Sequence, residues 1–164
     1  VVQSQAPRGL CVMALTEPLN PPALSALFDG WRSRFGHQFR PVSLSAVKAA
    51  MRTLRQGGVV AILGDRDIQA TGVVVPFCGE PTRVPVGPVE MALRTGAVLL
   101  PVFTRRIKFD RFEVTVQEPL ELVRTGNLEE DIRTNVEALL ARFEPHLRQE
   151  PRQWIVLERV WDGA

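Results

Sequence analysis

At 164 residues the chain has the length of one domain, enough to bury a core without disulfides or metals. Its 45% hydrophobic and 23% charged residues are ordinary for a soluble globular protein. The net charge of +2 comes from arginines spread along the chain with no basic tail, which argues against nucleic acid as a partner.

Leu10–Leu15 (LCVMAL) has the length and flanks of a buried strand. After TEPLNPP, a helix is predicted over Ala23–Gly36, with Leu24, Leu27, Phe28, Trp31 and Phe35 on its inner stripe. Phe39–Val42 reads as a short strand. Ser43 or Ser45 would then cap a helix over Ala46–Gln56. In that helix Val47, Met51 and Leu54 face inward, while Lys48, Arg52 and Arg55 form a basic stripe suited to solvent or to an anionic membrane surface. Gly57-Gly58 stops it. VVAIL (59–63) is apolar on both faces, the pattern of the centre of a parallel sheet.

Val73–Phe77 is a further apolar stretch, followed by FCGEPTRVPVGP (77–88), which reads as a stiff connection. A helix starts near Pro88, buries Val89, Ala92 and Leu93, and ends at Gly96. Ala97–Thr104 is predicted as a strand, then Arg105–Lys108 and Phe112–Gln117 as the arms of a hairpin. Asn127 with Glu130 forms a capping box for a long helix. That helix carries Leu128, Ile132, Val136, Leu139, Leu140, Phe143 and Leu147 on one face. The tail, PRQWIVLERVW, holds two of the three tryptophans. Strand–helix alternation predicts a single α/β domain with a mainly parallel central sheet flanked by helices.

Cys11 and Cys78 sit among apolar neighbours and read as buried reduced thiols, outside any zinc or redox spacing. Neither His37 nor His146 has a nucleophile or carboxylate at a recognisable spacing, so both read as surface histidines, and no metal site is expected. No apolar run approaches the roughly 20 residues that span a bilayer.

In an open α/β sheet, ligands bind beyond the carboxyl ends of the strands. Glu17, the Asp65-Arg66-Asp67 turn and the loop from Cys78 to Gly87 all occupy such positions. A carboxylate at Glu17 can orient a histidine and stabilise its imidazolium, or can simply be an exposed loop residue. Asp65-Arg66-Asp67 is either a ligand-facing turn or an ion pair sealing the strand end. Arg83, just ahead of a helix start, is either an anion-binding partner of the helix amides near Gly87 or a surface arginine. Arg32, beside Trp31, faces either solvent or the site.

Taken together, GVVAILGDRDIQATGVVVPFCGEPTRVPVGPVEMALRTGAVLLPVFTRR resembles a known family block. Asp65, Asp67, Gly72, Phe77, Gly79, Pro81, Gly87, Pro88, Thr95, Gly96, Ala97, Pro101 and Val102 carry the match. EPLNPPALSALFDGWRSRFG and PRQWIVLERVW extend it, so it covers nearly the whole chain from about Gly9. The family is the bacterial lipid A biosynthesis acyltransferases, with the related phosphatidylinositol mannoside acyltransferases. The resemblance implies a glycerolipid-acyltransferase-like α/β fold and transfer of a fatty acyl group from a thioester to a hydroxyl of a membrane glycolipid. The donor would be acyl carrier protein or coenzyme A, with no separate cofactor, and the place of work the cytoplasmic face of the bacterial inner membrane.

The resemblance also assigns residues. Glu17 matches a glutamate that, in the mannoside acyltransferases, partners the catalytic histidine. Arg32 matches an arginine near the active site, and Asp65 and Asp67 match the acidic pair at its edge. Glu17, Arg32 and Asp65 are therefore the catalytic candidates. Arg66, Asp67, Arg83 and Gly87 are the substrate-binding candidates. The family's general base lies in a His-x4-Asp/Glu motif, and this chain has none: the residue five past His37 is Val42, and five past His146 is Pro151. With Val1 in place of an initiator methionine, the expectation is a core cut downstream of that motif and of a membrane anchor, inactive by itself. The alternative expectation is a non-catalytic lipid- or anion-binding domain of the same fold.

Overall fold

Val12, Met13, Ala14 and Leu15 are all buried, so the first apolar run forms a central strand, β1 (Val12–Thr16). The computed structural model describes residues 11–34, 36–67, 70–156 and 159–161. The chain folds as two compact units, one reaching Leu63 and including Thr95–Ala97, the other made of Gly64–Arg94 and the residues from Val98 onward.

In the first unit, β1 is followed by α1 (Pro22–Ser33), β2 (Gln38–Pro41), α2 (Leu44–Arg55) and β3 (Val59–Ala61). The three strands form a parallel sheet in the order β2-β1-β3, with Ala14 level with both Phe39 and Ala61. VVAIL therefore gives a three-residue edge strand, not the sheet's centre, and Leu63 beyond it is 78% exposed. The cause is position: β1 has a strand on each side and takes the buried place. Ser43 caps α2 by accepting the Ala46 N–H at 3.2 Å. Ala46 and Ala50 are the buried residues of α2; Val47, Met51 and Leu54 are half-buried, and Lys48, Arg52 and Arg55 are exposed. Gly57, at φ +77°, takes the left-handed turn that follows the helix. Of the stripe expected to face inward on α1, Leu24, Leu27 and Trp31 are exposed and Phe28 is half-buried, while Phe35 lies outside the described residues.

The second unit contains β4 (Val73–Phe77), β5 (Glu80–Val84), α3 (Gly87–Thr95, apart from its last residue), β6 (Val102–Lys108), β7 (Arg111–Val116) and α4 (Leu128–Gln149). Its strands pair as two antiparallel hairpins, β4-β5 and β6-β7. The fold is thus mixed α/β with one three-stranded parallel sheet, less parallel than the alternation predicts. FCGEPTRVPVGP is not a loop: Cys78 and Gly79, at φ +56° and +95°, form a two-residue turn and β5 returns along β4. Both positive φ values match the right-handed twist of a tight hairpin. Cys78 is strained there as a non-glycine residue, and its N–H is held by Glu144 Oε1 of α4 at 2.7 Å. The thiols also differ from expectation, Cys11 being exposed and Cys78 half-buried. Burial, then the neighbouring Glu144, pushes the Cys78 thiol above its ordinary pKa.

The core of this unit packs Val75, Phe77 and Val84 of the first hairpin against Val89 and Leu93 of α3 and Val136 and Leu140 of α4. Phe77 lies at its centre, edge-on to Phe143 and Trp154 and stacked with Trp161. Asn127 caps α4, its Oδ1 accepting the Glu130 N–H at 3.4 Å. One turn in, Asp131 is buried and accepts the Thr125 N–H at 2.7 Å and the Thr125 hydroxyl at 2.8 Å. The Thr125 N–H, helped by its hydroxyl, the Gly126 N–H and Arg124, lowers the Asp131 pKa against the opposing effect of burial. A carboxyl lowered on folding stabilises the fold above its unfolded pKa and loses that contribution as pH falls through the folded one. Asp131→Asn should therefore lower the urea midpoint at pH 7. Its difference from wild type should shrink as pH drops below the ordinary carboxylate range; a difference independent of pH would sink this account.

Among the described residues, no helix is long and apolar enough to cross a membrane.

Candidate functional site

Glu17 stands directly after β1 and is exposed. From β1 the chain crosses to β2 on one side, and β3 lies on the other, so the sheet's topological switch point is at the carboxyl end of β1. Open α/β sheets bind ligands in such a crevice. Arg32, on α1, is half-buried, with its guanidinium over the rings of Phe28 and Phe39, each at 5.4 Å. The two rings hold the guanidinium against β2 through cation–π contacts.

Both histidines depart from the surface reading. His37 is only 4% exposed, and its Nδ1 accepts the Val12 N–H at 3.3 Å. That bond fixes the ring at the amino end of β1, whereas Glu17 follows its carboxyl end, about 17 Å away along a strand of five residues. His146 is half-buried, stacked at 3.8 Å on Phe103, with its Nε2 2.8 Å from Gln117 Nε2. Hydrophobic periodicity gave no signal for either, because a histidine buried inside a fold looks in sequence like one on the surface.

The remaining candidates belong to the second unit. Asp67 and Arg83 meet on one residue, Gly72: Asp67 Oδ2 accepts its N–H at 2.6 Å, and Arg83 donates to its carbonyl at 3.0 Å. Arg83 lies within β5, opposite Val74, and not in a loop leading to the helix. Gly72 also fits because it lacks a side chain. A Cβ there would lie 1.9 Å from the Val84 carbonyl oxygen. Asp65 is half-buried and goes elsewhere, its Oδ2 accepting the indole N–H of Trp154 at 3.1 Å. Arg66 is half-buried in the same turn. Gly87 is the first residue of α3, and the Val86 carbonyl beside it accepts the Glu90 N–H at 2.8 Å. Among the described residues, no three histidine, cysteine, aspartate or glutamate side chains gather as a metal site.

Residues 3–162 match the model of the bacterial lipid A biosynthesis acyltransferases. The chain belongs to that family. It is similar to a phosphatidylinositol mannoside acyltransferase of Mycobacterium tuberculosis, 33% identical over 150 residues, which is 90% of this chain and 46% of the relative. A protein of the same name from Mycolicibacterium smegmatis is 28% identical over 150 residues, 90% of this chain and 47% of the relative. The chain thus spans about half the length of these curated relatives. Gly72, Asp65 and Asp67 fall in the block that resembles the family, and their geometry gives two of them clear work: Asp67 and Gly72 build the entry to β4. Trp154 is a partner of Asp65 to which the sequence assigned no role, although PRQWIVLERVW belongs to the stretch that resembles the family. Its signal was only its place in a tryptophan-rich tail, 89 residues from the aspartate it meets.

Proposed function

We propose that this chain is part of an acyltransferase that moves a fatty acyl group from a thioester to a hydroxyl of a membrane glycolipid, with a mannosylated phosphatidylinositol as the first candidate acceptor. The reading is carried by one observation: the family match spans residues 3–162, and the relatives above are named for acylating phosphatidylinositol mannosides. The donor is a thioester of acyl carrier protein or coenzyme A, and no other cofactor is called for. The site of action is the cytoplasmic face of the bacterial inner membrane.

A thioester is already activated, so the protein must remove a proton, align the reactants and stabilise the oxyanion. The acceptor oxygen bonds to the carbonyl carbon, the carbon–sulfur bond breaks, and the base passes the hydroxyl proton to the departing thiolate. Glu17 would hold that base, as its place beyond β1 allows. Neither histidine of this chain serves: His37 is at the opposite end of β1 and His146 is engaged with Phe103 and Gln117. The reading therefore takes the base from outside these 164 residues, and the chain alone should transfer no acyl group. Arg32 or the Asp65-Arg66-Asp67 turn would align the acceptor, and within the second unit Asp67 and Arg83 both hold the backbone of Gly72.

Glu17→Gln in the full-length protein should lower kcat by about 10²-fold or more with little change in KM, the signature of a lost base partner. Normal turnover would remove Glu17 from the mechanism. The positions of the two histidines favour one competitor, a lipid-binding domain of the same fold without a base. Glycolipid binding by the full-length protein, without transfer from either thioester, would establish that competitor instead.

A further inference from the structure

We infer that Trp154 is a positioning residue for Asp65, set in place by Gln153 and Trp161 on either side of it in the tail. The inference rests on the acyltransferase reading and on the part given there to Asp65. The indole N–H of Trp154 donates to Asp65 Oδ2 at 3.1 Å, and among the described residues this is the only hydrogen bond of that carboxylate. An indole donates one hydrogen bond and carries no charge. It fixes the carboxylate's rotation while leaving Oδ1 as an acceptor. An arginine or lysine in the same place would compete with a substrate hydroxyl for both oxygens.

Trp154 can do this because it is held from several directions. Its ring lies edge-on to Phe77 at 5.9 Å and to Trp161 at 6.0 Å. On its amino-terminal side, Gln153 reproduces the pairing of a strand with its side chain. Gln153 Oε1 accepts the Arg106 N–H at 2.7 Å, and Nε2 donates to the Arg106 carbonyl at 3.1 Å. On its carboxyl-terminal side, the Trp161 indole donates to the Phe77 carbonyl at 3.1 Å, and Trp161 bridges Thr82 of β5. Both flanks of Trp154 are thus tied to backbone of separate hairpins, which leaves its indole little freedom to follow a moving carboxylate. Trp161 shows the bland alternative: it satisfies its N–H on a backbone carbonyl, as a tryptophan that only fills a core can. Trp154 instead reaches a side chain in the turn after β3.

The test uses the full-length protein with Trp154→Phe, Asp65→Asn and the double variant, each assayed for melting temperature, kcat and KM. The assay is acyl transfer from an acyl thioester to mannosylated phosphatidylinositol. Trp154→Phe keeps an aromatic ring and removes the donor. It should leave KM unchanged and lower kcat about tenfold, the kinetic equivalent of one hydrogen bond. The double variant should be no slower than Asp65→Asn alone, since the two residues act as one unit. If Asp65→Asn is slow while Trp154→Phe keeps its kcat, or if the two losses multiply, Trp154 is core filling only and the inference fails. If Asp65→Asn keeps full rate, the assignment of Asp65 in the acyltransferase reading fails first. Should Trp154→Phe not fold, benzothienylalanine at position 154 keeps the fused ring, replaces N–H by sulfur, and is expected to give the same tenfold loss.

Discussion

Gly72→Ala is expected to be among the most destabilising single-methyl additions in the second unit. A Cβ at position 72 would stand 1.9 Å from the Val84 carbonyl oxygen, 2.6 Å from its carbon and 2.8 Å from Asp67 Oδ2. The first two atoms are backbone of the partner strand, paired with Val73 beside it, so no rotamer change relieves the contact. The hairpin must part at its open end, and parting also strains the Asp67 and Arg83 bonds to Gly72. Overpacking of this kind costs about 3 kcal/mol or more, the upper end of what added methylenes do, on the order of 10 °C in melting temperature at this chain length. Gly30→Ala supplies the control. Gly30 lies within α1 and its added Cβ would meet nothing within 4 Å, so the change should be neutral or stabilise by about 0.5–1 kcal/mol. Equal melting temperatures for Gly72→Ala and wild type would refute the close approach.

What the sequence revealed about the fold divides along a physical line. Local signals were faithful: Ser43 and Asn127 cap the helices they precede, and Gly57 and Gly96 take the positive φ that ends a helix. These depend on a few neighbouring residues. Signals of burial failed where burial depends on what lies across space. VVAIL has the composition of a central strand but pairs on one side only, and α1 has an amphipathic stripe that stays half in solvent. Three prolines in FCGEPTRVPVGP suggested a connection without pairing. Only Pro81 of the three lies in a strand, where it faces Pro76 of β4 in register; a two-stranded hairpin tolerates such a pair because each strand has a neighbouring strand on one side only, and Pro85 and Pro88 lie beyond β5.

The candidate site divides the same way. Residue types at strand ends pointed to Glu17 and to the acidic turn; Glu17 directly follows β1, whereas edge strand β3 ends at Ala61 and the acidic turn falls in the second unit. Their partners were invisible, since Asp65 with Trp154 and Arg83 with Gly72 are contacts made by folding. Arg83 is the instructive case. Its distance in sequence from the Pro88 helix suggested a shared anion site, yet the extended course of β5 directs its guanidinium to the backbone of Gly72, just ahead of β4.

Asn135→Leu should cost more than any other polar-to-apolar change in α4. Asn135 is 0% exposed, and its side chain makes three hydrogen bonds. Oδ1 accepts the Val123 N–H at 2.9 Å, and Nδ2 donates to the Val123 carbonyl at 2.9 Å and to the Asp131 carbonyl at 2.7 Å. One amide thus satisfies both polar groups of a residue in the segment between β7 and α4, as a neighbouring strand would. Leucine keeps the branched outline of the asparagine side chain but is bulkier, so overpacking at this fully buried position adds to the loss of bonds. The Val123 N–H and carbonyl would be left facing an apolar side chain, at about 1–3 kcal/mol for each group. A total of about 2–4 kcal/mol is expected, since exposure of the Val123 side chain lets water reach part of that peptide. The effect should extend along the segment, because Arg124, the next residue, donates to the Leu93 and Ala92 carbonyls at 2.7 and 3.2 Å and so ties it to the end of α3. Amide hydrogen exchange separates this from a local defect. Faster exchange at Val123 and Thr125 together with a lower urea midpoint supports the clamp, whereas unchanged protection at Val123 would show that its peptide is held by something other than Asn135.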